Sequence, residues 1–341
     1  SGNIGSATAT VNVTDQTAPE ITLIGASSIT LNVGDVFIDP GSTVTDNVDV
    51  GLTATVTGAV DTSATGLYNL TYTVSDSAGN AATSIVRSVS VQDSAAPVVT
   101  VPANIIVAAT NASGSAKTVA EIAAFLQGAT ASDAVDGPIA IVSNDAPVVF
   151  PLGLTTVTFS ATDLSGNIGQ SQATVNVIDQ TAPIITLIGA STITLNVGDV
   201  FTDQGSVVTD NVDVGLSVTP SGAVNTAAVG SYTLIYDISD AAGNAAITVT
   251  RDVVVEDNVP PVVIAPANIT VAAVDANGTA NTQSTIVAFL NAASASDAVD
   301  GPRTVTHDAP AIFPLNLTTV TFTATDLSGN IGSATATVNV T

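Results

Sequence analysis

Short stretches of alternating apolar and polar residues run along the whole chain, and Gly, Asn and Asp separate them. This period-2 alternation is typical of β-strands with one buried face, because successive side chains of a strand point to opposite sides. Within 67–74, for example, Tyr68, Leu70, Tyr72 and Val74 should share one face. The pattern predicts strands at 21–25, 29–33, 52–56, 67–74 and 84–91, and again at 104–109, 155–162 and 172–178.

One segment has helical spacing instead. TVAEIAAFL at 118–126 carries apolar residues at helical intervals, and Thr118 and Glu121 have the spacing of a capping box at a helix start. Elsewhere, about seven short strands in each stretch of roughly 80–90 residues, with frequent turns, favour a β-sandwich. The sequence therefore predicts an all-β fold built from immunoglobulin-like Greek-key sandwiches.

The chain repeats itself. DQTAPEITLIGASSITLNVG at 15–34 returns as DQTAPIITLIGASTITLNVG at 179–198, and residues 1–14 recur unchanged at 328–341. Each long repeat divides again at a joint that reads Asp-x-x-Ala-Pro or Asp-x-x-Pro-Pro. The joints begin at Asp15, Asp93, Asp179 and Asp257.

These joints predict four tandem modules arranged end to end as an extended rod. The modules are A1 (residues 15–93), B1 (94–178), A2 (179–257) and B2 (258–341). Residues 1–14 are expected to be the last strand of a preceding B-type module, so the sequence is interpreted as an excerpt of a longer protein.

The charge balance excludes several classes of function. The chain has 29 Asp and Glu against 4 Lys and Arg, a formal charge of -25. Such a chain repels nucleic acid and anionic membranes, because phosphate contacts depend on Lys and Arg. It is nevertheless 45% hydrophobic, which is enough to build cores. No Cys is present, so disulfides and thiolate metal sites are excluded, and no apolar run is long enough to insert in a membrane.

The remaining motifs predict no catalysis. The sequence has no phosphate-cradling glycine loop and no nucleophile elbow, and His307 of module B2 has no counterpart in B1. We therefore expect no enzyme. The four basic residues are dispersed and predict no basic patch. Asp35, Asp39, Asp199 and Asp203 are interpreted as turn or surface residues, with a supplementary metal role as the alternative.

Both module types resemble known families. Module B1 resembles the hyalin repeat, an immunoglobulin-like module, in APVVTVPANI at 96–105, VVFPLGLTTVTFSATDLSGN at 148–167 and its closing TVNV strand. Module A1 resembles the bacterial immunoglobulin-like modules that stand beside hyalin repeats in large surface adhesins, in DVFIDPGSTVTDNVD at 35–49 and YTVSDSAGN at 72–80. The resemblance implies an extracellular stalk or adhesin segment at a bacterial cell surface. Many hyalin repeats carry a disulfide that is missing here, so their binding roles are not carried over.

An acidic pattern recurs in every module. It consists of the joint Asp, two Asp spaced by three in a loop in the middle of the module, and an Asp followed four residues later by Asn. The loop pair should be the B–C loop and the Asp–Asn pair the F–G turn, and both lie at the pole where the chain enters a sandwich. The set is Asp15, Asp46, Asp49, Asp76 and Asn80; Asp93, Asp133, Asp136, Asp163 and Asn167; Asp179, Asp210, Asp213, Asp240 and Asn244; Asp257, Asp297, Asp300, Asp326 and Asn330.

Carboxylates gathered in this way predict a divalent cation. Two like charges 4 Å apart repel by about 4 kcal/mol at an effective dielectric constant of about 20. Calcium accepts six to eight oxygens in flexible geometry, magnesium keeps more of its waters, and no His or Cys belongs to the pattern to favour zinc. We predict one or two Ca²⁺ at each module boundary. The alternative is that Asp, Asn and Gly only form turns.

Three functions remain open from the sequence. The first is a structural stalk whose partners are its own neighbouring modules, which calcium fixes in line. The second is a filament subunit, in which residues 1–14 add a strand to another copy of the chain. The third is an adhesin module that binds a glycan or protein through its loops, with the ligand unknown.

Overall fold

The structure is a computed structural model that describes residues 2–341, and it is nearly all β. Residues 15–93 contain two sheets. One pairs β1 with β3, and the other has the order β2-β6-β5-β4. The strands are β1 (Glu20–Leu23), β2 (Ser28–Asn32), β3 (Ser42–Thr45), β4 (Thr55–Thr57), β5 (Gly66–Thr73) and β6 (Ile85–Gln92).

Residues 94–178 add a helix to the sandwich. Their elements are β7 (Val98–Thr100), β8 (Ile105–Ala108), β9 (Ser115–Ala116), α1 (Ala120–Gln127), β10 (Thr130–Asp133), β11 (Gly137–Ile139), β12 (Ser143–Asn144), β13 (Val149–Phe150), β14 (Gly153–Thr162) and β15 (Ile168–Ile178). The sheets have the orders β11-β10-β7 and β12-β14-β15-β8, with a short β13-β9 pair.

The second half repeats this arrangement, except that among its described residues the counterpart of β4 is reduced to a single bridge between Ser221 and Ile235. Residues 179–257 contain β16 (Ile184–Leu187), β17 (Thr192–Asn196), β18 (Ser206–Thr209), β19 (Gly230–Tyr236) and β20 (Val249–Glu256). Residues 258–341 contain β21 (Val262–Ile264), β22 (Ile269–Val271), β23 (Thr279–Ala280), α2 (Ser284–Leu290), β24 (Ser294–Asp297), β25 (Gly301–Arg303), β26 (Val305–His307), β27 (Ile312–Phe313), β28 (Asn316–Thr325) and β29 (Ile331–Val340). The chain divides into two compact units between Ile178 and Asp179.

A parallel pair closes each sandwich. An early strand lies beside the last strand of the same module: β2 beside β6, β8 beside β15, β17 beside β20, and β22 beside β29. The last strand also pairs with the preceding long strand in an antiparallel ladder. The F–G turn between these long strands therefore lies at one end of the sandwich, beside the joint.

The core of each module follows the predicted alternation. In the first module Ile21, Leu70 and Tyr72 are buried together, and Val74 packs against them. The helix of each B-type module packs a phenylalanine edge-to-face onto the long sheet. Phe125 meets Phe159 with ring centroids 5.6 Å apart, and Phe289 meets Phe322 at 5.7 Å. Such pairs add about 0.5–1.5 kcal/mol beyond the area they bury.

Most predicted strands are confirmed, and several details differ. Strands β3, β7 and β9–β13 were not predicted, and the strand predicted at 52–56 is the shorter β4. The predicted capping box is wrong: α1 begins at Ala120 after Val119, and no side chain caps it. Residues 2–14 form no helix or strand and are exposed, whereas their identical copy contributes β29.

Two arginines, one in each A-type module, are buried and bind backbone carbonyls and an aspartate, an arrangement that we call the arginine tie. The sequence had predicted only dispersed basic residues. Arg87 is fully buried, and its Nη2 donates to the carbonyl oxygens of Ile24 and Gly41 at 2.8 and 2.9 Å. Its Nε lies 3.5 Å from Asp39 Oδ1, which also accepts from the hydroxyl of Tyr72 at 2.6 Å. Asp39 Oδ1 also accepts from Gly41 N at 3.2 Å, so Asp39 is a turn residue, as predicted, and a structural anchor as well.

The second A-type module has the same tie. Arg251 forms an ion pair with Asp203, which accepts the hydroxyl hydrogen of Tyr236 at 2.7 Å. Burial and the neighbouring carboxylate raise the pKa of both Tyr72 and Tyr236 to about 12. Asp35 and Asp199 are also turn residues, as predicted, because each accepts from the N–H three residues before it.

Candidate cation sites at the module joints

The Asp–Asn pair of each module forms a closed turn. In the first, Asp76 Oδ1 accepts from Asn80 N at 2.6 Å, and Gly79 N donates to Asp76 O at 3.3 Å. Gly79 has a φ of 94°, a left-handed conformation that glycine adopts without steric cost. The same turn recurs at Asp163, Asp240 and Asp326. It fixes one carboxylate at the pole of the sandwich.

The asparagine of this turn holds the joint in place. Its side-chain amide donates to the backbone carbonyl of the joint Asp: Asn80 to Asp15 at 3.2 Å, Asn167 to Asp93 at 3.1 Å. The two later modules have the same bond, from Asn244 to Asp179 at 3.3 Å and from Asn330 to Asp257 at 2.8 Å. All four asparagines thus contribute donors here, and their role as metal ligands stays a prediction.

The B–C loop is tied to the same turn. Its second Asp accepts from the N–H that follows the turn Asp, as Asp49 does from Ser77 at 2.8 Å and Asp136 does from Leu164 at 2.8 Å. Its first Asp caps the loop itself: Asp46 Oδ2 accepts from the N–H groups two and three residues ahead, each at 2.8 Å. Modules A2 and B2 repeat both arrangements.

These three parts meet at every joint. One carboxylate oxygen from the joint Asp, one from the B–C loop and one from the turn lie within 4.8 Å of one another. We call the groups in the A modules A-type clusters and those in the B modules B-type clusters. The A-type clusters are Asp15, Asp49 and Asp76, and Asp179, Asp213 and Asp240; the B-type clusters are Asp93, Asp133 and Asp163, and Asp257, Asp297 and Asp326.

The two types use different positions of the loop. A-type clusters take the second Asp of the loop pair, whereas B-type clusters take the first. Four of the predicted residues therefore lie at the joint but outside the three-carboxylate groups: Asp46, Asp136, Asp210 and Asp300. Twelve of the sixteen predicted aspartates are brought together.

Several of these carboxylates have a buried oxygen that accepts no hydrogen bond. Within residues 2–341, Oδ2 of every joint Asp is buried and has no hydrogen-bond donor; these are Asp15, Asp93, Asp179 and Asp257. Oδ2 of Asp297 and Oδ1 of Asp46 and Asp210 are in the same condition. A buried charged oxygen without a partner is costly, and these oxygens could accept a cation as the missing partner.

Hydrogen bonding keeps three of these carboxylates ionised. Burial of Asp163 opposes its charge, but donation from Asn167 and from nearby backbone N–H groups outweighs burial and lowers its pKa below 3.8. Asp240 has the same balance. For Asp297, the N–H of Asp300 is the largest cause of a lowered pKa. At neutral pH these groups carry negative charge, and their mutual repulsion remains to be neutralised.

One polar contact was not expected from the sequence. Ser77 Oγ donates to both oxygens of Asp49, at 3.1 and 2.8 Å, so this loop is held by a side chain as well as by the backbone. Module A2 has Ala241 at this position and keeps only the backbone bond. The sequence shows the difference between Ser77 and Ala241, but it does not show that Ser77 binds Asp49.

The chain also resembles known proteins. The family described as "Bacterial surface protein, Ig-like domain" matches residues 21–91 and 185–255. Hyalin of Strongylocentrotus purpuratus is 33% identical over 368 residues, which cover 98% of this chain and 28% of hyalin. Hyalin of Lytechinus variegatus is 32% identical over 215 residues, covering 56% of this chain and 37% of that protein.

Among solved structures, extracellular cadherin domains 3–6 of protocadherin gamma B2 align with 92% of this chain and 97% of theirs, at 13% identity and a TM-score of 0.34. The sequence matches support hyalin-type and immunoglobulin-like repeat modules of the kind found in surface proteins. Within residues 2–341, neither helix has the length and apolar composition that crossing a bilayer requires.

Proposed function

We propose that the chain is a structural spacer of an extracellular surface protein, in which Ca²⁺ at each joint fixes one module to the next. At the B-type joints the Asp is the last residue of one module, and the B–C loop and F–G turn belong to the following one, so an ion shared by all three connects two modules directly. At the A-type joints the Asp is the first residue of the module that holds the loop and the turn, so the ion fixes the point at which the chain enters that module. The predicted module boundaries and the bacterial source are part of this proposal.

The observation that carries the proposal is the buried, unpartnered oxygen of all four joint aspartates. A turn-forming Asp needs no such atom, because its turn is complete when one oxygen accepts the local N–H. At Asp93, Oδ1 accepts from Ala95 N at 3.0 Å while Oδ2 faces the other carboxylates without a donor. This division of roles recurs at each joint, so turn formation does not account for it.

The ligand chemistry favours calcium. Each cluster offers only oxygens, from three carboxylates and the nearby backbone carbonyl of the joint Asp. Calcium binds such sets at about 2.3–2.6 Å and tolerates irregular geometry. Zinc would require His or Cys, and magnesium would keep several waters. Outside cells, millimolar calcium would occupy even weak sites and stabilise the folded chain by mass action.

The direct test is thermal unfolding of the whole chain with calcium and with a chelator. One site filled at 100 times its Kd stabilises by about 2.7 kcal/mol. Since 1 kcal/mol moves the Tm of a domain of this size by about 4–8 °C, we expect calcium to raise Tm by about 10–20 °C. Magnesium at the same concentration should give much less.

A matched pair of variants separates the clusters from general charge effects. Asp257→Asn removes a joint carboxylate, and Asp252→Asn makes the same change at an exposed position on β20 that belongs to no cluster. Only the first should reduce the calcium-dependent rise in Tm. Equal Tm values with calcium and chelator in the unmodified chain would refute the proposal.

Small-angle scattering and electron microscopy address the mechanical part. With calcium we expect discrete, stiff particles, and after chelation a more flexible profile. The filament and ligand-binding hypotheses stay predictions. Long fibres would favour the filament, and a glycan or protein that binds an isolated module would favour the adhesin.

A further inference from the structure

The two cluster types differ in more than their loop position, and the first difference is burial. In the B-type cluster at Asp257, the three side chains are only 4, 4 and 6% exposed, and at Asp93 they are 8, 8 and 7% exposed. In the A-type clusters only the turn residues Asp76 and Asp240 are buried to this degree, whereas the joint and loop aspartates are partly exposed. B-type carboxylates are therefore largely stripped of water before any ion arrives.

The second difference is how the joint itself is held. The residue after each B-type joint Asp is hydrogen-bonded to the end of the second strand of the preceding A module. Ser94 Oγ donates to Asn32 Oδ1 at 2.7 Å, and Asn258 Nδ2 donates to Asn196 Oδ1 at 2.9 Å. At the A-type joints the corresponding residues, Gln16 and Gln180, are exposed, and within residues 2–341 neither side chain forms a hydrogen bond.

Burial sets the order of cation affinity. An ion that binds partly exposed carboxylates must displace their water, and its attraction to them is weakened by the high dielectric around them. Carboxylates that are already dehydrated, and that hold unpartnered oxygens, offer the full attraction. Every joint Asp has one such oxygen, and within the described residues the Asp257 cluster has a second, because Asp257 Oδ2 and Asp297 Oδ2 are both buried and unpartnered.

We infer that the chain has two classes of calcium site, and that the B-type joints hold their ions more tightly than the A-type joints. This inference rests on the proposed calcium binding and adds an order of filling. As calcium rises, the B-type sites at Asp93 and Asp257 fill first, and the A-type sites at Asp15 and Asp179 fill only at higher calcium. The local calcium level then sets the stiffness of the chain stepwise.

Calorimetric titration of the chelator-treated full chain with Ca²⁺ tests the order. We expect two classes whose Kd values differ by about tenfold, which corresponds to about 1.4 kcal/mol. Asp257→Asn should remove a site from the tight class, and Asp179→Asn should remove one from the weak class. The exposed variant Asp252→Asn should leave both classes unchanged.

Limited proteolysis of the unmodified chain gives a test that needs no variant, so it does not depend on whether a variant folds. With calcium between the two Kd values, a non-specific protease should cut near the Asp179 joint and release two fragments that end and begin near residue 179. Cleavage near Asp93 or Asp257 should require calcium below both Kd values.

The outcomes separate the inference from the function on which it rests. A single class of equivalent sites, loss of the tight class in Asp179→Asn, or first cleavage at Asp93 would overturn the two-class order while leaving calcium binding intact. Absence of any calcium-dependent heat or protection would overturn the proposed function itself.

Discussion

The buried arginine of module A1 gives the sharpest stability prediction. In Arg87→Met the side-chain volume stays similar, but the carbonyls of Ile24 and Gly41 lose their donor and Asp39 loses its positive partner. Breaking a buried ion pair costs about 3–5 kcal/mol, and the lower end applies because Asp39 keeps 25% of its side chain exposed. We expect module A1 to lose about 3 kcal/mol of its free energy of unfolding.

The chain supplies its own probe for this measurement. It has no Trp, and its four Tyr all lie in the A modules, two in each. Tyrosine fluorescence during urea unfolding therefore reports modules A1 and A2 alone. The denaturant slope of so small a module is about 1 kcal/mol/M. In Arg87→Met the half of the signal that comes from module A1 should therefore have its urea midpoint lowered by about 3 M.

Three comparisons make the result decisive. Arg251→Met should shift the other half of the signal, because it removes the twin tie in A2. Arg303→Met, in a B module, should shift neither half. Tyr72→Phe removes only the hydrogen bond to Asp39 and should cost about 1 kcal/mol, so it remains measurable if Arg87→Met does not fold. A shift below about 0.5 M for Arg87→Met would refute the view that this guanidinium holds the module together.

Two further predictions follow from single sites. Absorbance titration should show that Tyr72 and Tyr236 ionise near pH 12. Because their folded pKa exceeds the ordinary value of 10.0, the stability they contribute is complete below pH 10 and is lost as pH rises towards 12, so ionisation near 10 would contradict their burial. Gly169→Ala would place a methyl group 1.8 Å from the carbonyl oxygen of Pro97, and should lower the Tm of B1 clearly. Gly5→Ala, in open space, should have no effect, and equal Tm values for the two variants would contradict the close approach.

The alternating pattern made most strands predictable, and its failures are instructive. Strand β3 has the sequence STVT among turn-forming residues, with Val44 as its one apolar side chain. It becomes a strand because Val44 pairs with Ile21 of β1, a contact distant in sequence that period-2 counting does not register. The helix was predicted from its apolar spacing, and Ile122 and Phe125 are buried as that spacing requires. Its N-cap is Val119, one residue after the predicted Thr118.

The acidic site was predictable because one pattern recurs at four joints, and loop pairs at the same pole of a sandwich must converge. The choice between the first and second Asp of the B–C loop was not predictable. Asp46 and Asp133 cap their loops through the same backbone hydrogen bonds, yet only Asp133 lies within 4.8 Å of the other two carboxylates, so the difference is one of atomic position that a residue pattern does not register. The Arg87 tie was missed because a lone arginine in a strand gives no sign of burial until its carbonyl partners are placed.

The parallel strand pair that closes each sandwich determines how a module responds to tension. A force applied at the two ends of module A1 first separates β1 from β3, and it then pulls the early strand and the last strand in opposite directions along their shared ladder. In β2 and β6 this ladder spans five residue pairs, from Ser28 beside Ser88 to Asn32 beside Gln92. Its hydrogen bonds are loaded in shear and must break together, whereas a hairpin pulled from its open end unzips bond by bond. The topology thus suits each module to bearing load along the chain.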